Sequence, residues 1–136
     1  MIPDEPLTPA PVESPFKGKR GAARIVQAFF NSLAGLADAW QHESAFRQEI
    51  LMAAVLVPAA CLAPVSAAER ALLVGSVLLV LIVELLNSSV EAAIDRISFE
   101  RHSLSRRAKD IGSAAVFVAL VLMAVVWAFV LVPHLP

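Results

Sequence analysis

The segment VELLNSSVEAAIDR, residues 83–96, places Glu84, Asn87, Ser88, Glu91 and Asp95 at intervals of one, three and four residues. At about 100° per residue these side chains share an arc of about 100° on one side of a helix. Two other stretches carry similar groups. HESAFRQE, residues 42–49, holds Glu43, Arg47 and Glu49, and SRRAKDIGS, residues 105–113, holds Arg107, Lys109, Asp110 and Ser113. Carboxylates drawn from more than one helix end suit Mg²⁺, which takes hard oxygen ligands and leaves coordination positions for phosphate oxygens. The neighbouring Arg and Lys side chains are the residue types that meet the remaining phosphate charge.

The elements that must position these groups are strongly apolar. Residues 71–83, ALLVGSVLLVLIV, contain no charge and run directly into Glu84. Two more uncharged stretches, residues 50–68 and 111–132, are as long as a membrane span requires, about 20 residues. The reading is an all-α membrane protein with three transmembrane helices, over about 44–65, 68–96 and 106–132. Pro58 in the first is tolerable where neighbouring helices satisfy the freed carbonyl, and the runs lack the period-two alternation of strands. Before them, residues 21–41 place Ile25, Val26, Phe29, Phe30, Leu33, Leu36 and Trp40 on one helical face, with Arg24, Gln27, Asn31 and Asp38 opposite. Next to three spans, this pattern predicts an amphipathic surface helix lying in the membrane interface. Residues 1–20 open with five prolines in fifteen positions and carry no apolar signal region, so they read as a disordered Pro-rich tail ahead of one domain, 21–136.

Ten of the eleven Lys and Arg side chains fall on the side of the N-terminus and the second loop or at its membrane boundary, where Arg47 lies, and Arg70 alone falls on the other side. The positive-inside rule then places the N-terminus and the second loop in the cytoplasm. Counted from Arg70 at about 1.5 Å per residue, Glu84 lies roughly 21 Å into a hydrocarbon core of about 30 Å. A carboxylate at that depth is costly and marks a functional site. Charges flanking spans are ordinarily topology signals, and Glu100, Arg101 and Arg106 are read that way.

Composition excludes several classes. The chain of 136 residues is 58 % hydrophobic and 17 % charged with a net charge of −1, so it offers no basic face to a nucleic acid. Cys61 sits alone in an apolar run and reads as a small buried hydrophobe. His102 and His134 lack metal-ligand partners at helical spacing, which argues against zinc. No GxxxxGK[ST] phosphate loop and no protein-kinase motif set is present.

AFRQE, IVELLNSSVEAAIDR and RAKDIGSAAV, taken in order, resemble the prokaryotic integral-membrane diacylglycerol kinase family, the resemblance running from about residue 24 to residue 127. It implies a homotrimer in the bacterial inner membrane. It also implies transfer of the γ-phosphoryl of MgATP to the hydroxyl of diacylglycerol, giving phosphatidic acid at a cytoplasmic-side site. Residue by residue, Glu84 falls on the family's general base and Glu43 and Glu91 on its metal-binding carboxylates. Asn87, Lys109 and Asp110 fall on positions around the lipid hydroxyl and nucleotide, and Arg24 on the surface-helix arginine. Asp95, Arg96 and Ser113 fall on further motif positions that are expected to bind substrate or nucleotide. Gln27, Phe30 and Asn31 depart from the surface helix of enterobacterial members, which bears on lipid preference. Two alternatives stay open on the residues alone: an undecaprenol kinase of the same family, and a non-catalytic membrane subunit that uses the carboxylates to bind a cation.

Overall fold

Long uncharged runs leave the backbone no polar partner except itself, and in lipid that favours continuous helices. The computed structural model describes residues 21–97 and 103–135. Four helices follow in order: α1 Ala22–His42, α2 Ser44–Leu62, α3 Ala67–Ile97 and α4 Ser103–Leu131, with a single 3-10 turn, Val132–His134, after the last. The described residues contain no strand. Helices α2, α3 and α4 are each long and apolar enough to cross a membrane. The Pro-rich tail and Glu100, Arg101 and His102 lie outside the described residues.

The chain divides after Gly35 into two units. In the first, α1 begins at Gly21, whose positive φ of 69° is a left-handed conformation that a residue with a Cβ adopts only with strain. Ile25, Val26, Phe29, Phe30 and Leu33 all stay exposed on this part of α1, and Phe29 and Phe30 meet edge to face with centroids 5.8 Å apart. Gln27 Nε2 donates to Asn31 Oδ1 at 3.0 Å on the polar side. An exposed apolar stripe opposite such a polar one suits a helix lying in a membrane interface.

In the second unit α1 ends at His42 and Glu43 turns the chain with extended dihedrals, φ −106° and ψ 109°. Arg47 holds that junction by donating from Nη1 to the carbonyls of Trp40 and Gln41 at 2.9 and 3.2 Å, two acceptors that the end of α1 leaves open. Helix α2 stops at Leu62, short of residue 65, because Pro64 disfavours a helical conformation at Ala63. Ala63 is extended, with ψ 142°.

A capping box then starts α3. Ser66 Oγ accepts from the Glu69 amide at 3.2 Å, and Glu69 Oε2 accepts from the Ser66 amide at 2.8 Å. Helix α3 packs against both α2 and α4. Ala60, Leu73 and Val130 form an apolar core from three helices, joined by Val126 and Trp127. Helix α4 begins at Ser103 rather than 106. Arg106 and Asp110 pair at 3.7 Å across one turn, extending helix past the apolar stretch that signals the span.

Candidate active site

Helix α3 carries the polar arc inward. Glu84 is 4 % exposed, in the same helix as the fully buried Val77 and Val80. Across from it, α2 contributes Glu49, 8 % exposed. The carboxylates of Glu49, Glu91 and Glu43 all lie near enough to Glu84 to interact with it electrostatically. Four acidic side chains from α2, its N-cap and α3 thus lie within electrostatic reach of one another through Glu84, which itself follows an uncharged run.

One turn along α3, Asn87 Nδ2 donates to Glu91 Oε1 at 3.1 Å. Three buried oxygens in this neighbourhood have no hydrogen-bond partner: Glu49 Oε2, Asn87 Oδ1 and Ser88 Oγ. Buried polar atoms are ordinarily satisfied, so a group of orphans calls for a ligand, an ion or water. Glu49 and Ser88 stand in the polar motifs of α2 and α3 without an assigned role, and only the packing of α2 on α3 shows that their oxygens are buried and unpaired.

At the next turn Lys109 Nζ of α4 meets Asp95 Oδ1 of α3 at 2.6 Å, tying the two helices together. The remaining expected residues stand at exposed positions. Asp110 is exposed and pairs with Arg106. Ser113 and Arg96 are also exposed, and Arg24 lies exposed in the first turn of α1, in the other unit.

No three His, Cys, Asp or Glu side chains among the described residues converge as a ready-made metal cage. Mg²⁺ does not need one, since it binds through one or two carboxylates together with substrate phosphates and water. The carboxylates of Glu43, Glu91 and Glu49, the last with an unpartnered oxygen, are donors of the hard-oxygen type that fits it.

Three membrane-length helices, two of them carrying the buried carboxylates Glu49 and Glu84, define an α-helical membrane protein with polar groups inside its helix packing. The profile of the family described as prokaryotic diacylglycerol kinase matches residues 30–131. The diacylglycerol kinase of Pseudomonas aeruginosa is 56 % identical over 118 residues, covering 87 % of this chain and 96 % of its own. The diacylglycerol kinase of Escherichia coli strain K12 is 48 % identical over 114 residues, covering 84 % and 93 %. A more distant relative, the diacylglycerol kinase of Helicobacter pylori strain 26695, is 39 % identical over 115 residues, covering 85 % and 89 %. The chain belongs to the prokaryotic diacylglycerol kinase family.

Proposed function

We propose that this enzyme, a diacylglycerol kinase by family, moves the γ-phosphoryl group of MgATP onto the free hydroxyl of diacylglycerol with Glu84 as the general base. The observation that carries the reading is the buried Glu84 carboxylate, set after an apolar run of its helix and within electrostatic reach of Glu43, Glu49 and Glu91. A lipid hydroxyl stays near the headgroup level, so the group that removes its proton must come to it inside the edge of the bilayer.

In the proposed reaction Glu84 accepts the hydroxyl proton as the lipid oxygen bonds to the γ-phosphorus. The bond from that phosphorus to the β–γ bridging oxygen breaks, and ADP leaves with the electron pair. Such transfer depends mainly on positioning and charge neutralisation. Glu43 and Glu91 would hold Mg²⁺, with Asn87 fixing the orientation of Glu91. The metal would supply neutralisation of phosphate charge. Lys109 is assigned to the phosphate side. An incoming nucleotide would compete with Asp95 for its ammonium, so the Lys109–Asp95 pair would keep that cation in place before ATP arrives. Asp110, Arg24, Arg96, Asp95 and Ser113 are proposed to line the lipid and nucleotide positions through the resemblance alone.

The proposal includes a homotrimer in the bacterial inner membrane, with the N-terminus and the site on the cytoplasmic side. The lysines and arginines of the chain support that orientation. Large apolar side chains left exposed on all three spans, among them Leu51, Ile82 and Phe117, are compatible with lipid or further copies around each chain. The deciding assay is transfer of radiolabel from [γ-³²P]ATP to a panel of diacylglycerol, ceramide and undecaprenol in mixed micelles. Label on diacylglycerol in preference to the other two is the expected result. Preferential labelling of undecaprenol would reassign the lipid, and no ATP-dependent labelling of any lipid would leave a cation-binding subunit.

A further inference from the structure

We propose that Gly112 of α4 is a positioning residue for the phosphoryl-transfer site, acting through Asn87 on the carboxylate of Glu91. The inference rests on the assignment of Asn87 and Glu91 to that site.

The glycines of α3 and α4 differ in their surroundings. A Cβ placed on Gly75 would meet nothing within 4 Å. A Cβ placed on Gly112 would overlap Asn87 Oδ1 outright and lie 3.1 Å from Asn87 Cγ. The missing side chain of Gly112 is therefore the space that the Asn87 amide occupies. With its oxygen side held against α4, the amide turns its Nδ2 toward Glu91 and donates at 3.1 Å. Lys109, three residues before Gly112, grips Asp95 of α3, so the helix pair is pinned one turn further along. Glycine at 112 thus sets the rotamer of one side chain, and that side chain sets the orientation of a proposed metal ligand.

A methyl group at this point has an easy way out. The atoms it would strike belong to the end of a side chain, not to backbone. Rotation of the Asn87 amide relieves the overlap and leaves the helices in place. The fold survives while the bond to Glu91 is lost, and misplacement of a positioning group by about 1 Å can cost 10²-fold in rate.

The test compares Gly112→Ala, Asn87→Ala, the double variant and Gly75→Ala in detergent micelles. Helical content, melting temperature, turnover and the Mg²⁺ concentration for half-maximal rate are measured on each. Gly112→Ala is expected to fold like the parent, lose roughly 10- to 100-fold in turnover and need more Mg²⁺. Asn87→Ala should lose a similar amount, the double variant no more than the larger single loss, and Gly75→Ala nothing. Multiplying losses in the double variant would mean independent action and overturn the proposal. So would a Gly112→Ala protein that fails to fold, one that slows with unchanged Mg²⁺ dependence, or an equal loss in Gly75→Ala. If Gly112→Ala keeps full turnover while Asn87→Ala loses it, the positioning role fails and the site assignment stands. If Asn87→Ala keeps full turnover, the assignment of Asn87 fails, and the inference with it.

Discussion

The two ends of the helix trio are built on opposite plans. At the Arg70 end, polar groups find partners. Arg70 donates from Nε to the Ala60 carbonyl at 3.2 Å and from Nη2 to those of Ala63 and Val65, closing the open end of α2. Trp127 Nε1 donates to the Leu73 carbonyl at 3.3 Å, and Leu73 itself is fully buried beside Ala60 and Val130. At the Glu84 end, carboxylates crowd together, three buried oxygens have no partner, and α4 approaches α3 through a glycine. A region that satisfies its own polar groups is built to hold. One that leaves them open is built to receive something, and unpaired buried polar groups are a cost that structure alone does not require.

Variants at the two ends should therefore fail in different ways. The largest effect is expected at Glu84, where replacement by Gln keeps volume but cannot accept the proton. A positioned base contributes about 10²- to 10⁴-fold, and kcat should fall on that scale. Glu43→Gln and Glu91→Gln come next. An amide is a weaker ligand for a hard cation, so activity should fall and partly return as Mg²⁺ is raised. Unchanged Mg²⁺ titrations for both would remove them from the coordination shell.

At the other end the readout is stability. Leu73→Ala should cost about 2 kcal/mol or more through the cavity it leaves, with turnover per folded protein little altered. Trp127→Phe removes one hydrogen bond between helices and should cost only about 0.6 kcal/mol, the average for such bonds in a membrane protein. Denaturation in mixed micelles checks both. A folded Leu73→Ala protein with catalysis abolished would blur the distinction between the ends. The smallest effect is expected from removing residues 1–16, which should leave most activity; a large loss in a normally assembled protein would give the tail a part in catalysis.

Much of this contrast was legible in the chain. The three spans follow from uncharged length, and the polar arc from Glu84 to Asp95 follows from helical spacing. The capping box at Ser66 and Glu69 also has a sequence signature, S-x-x-E. What periodicity could not supply was pairing between helices. Arg70 reads along the sequence as one stray charge on the far side, yet its guanidinium caps α2. Gly112 reads as an ordinary helix glycine until its register opposite Asn87 is known. Lys109 and Asp110 are adjacent and read as one motif, but successive residues on a helix point about 100° apart. Lys109 turns to Asp95 and Asp110 turns outward to Arg106.

Whether the buried carboxylate at position 84 moves a proton is tested most directly by two quantities measured on one purified Glu84→Gln protein: turnover with diacylglycerol and affinity for MgATP. Turnover should fall by about 10²-fold or more while nucleotide affinity stays close to that of the parent, because Glu43, Glu91 and Lys109 remain. Retention of more than about a tenth of parental turnover would contradict the base assignment. Loss of MgATP binding along with turnover would contradict it as well, by placing Glu84 on the nucleotide or its metal.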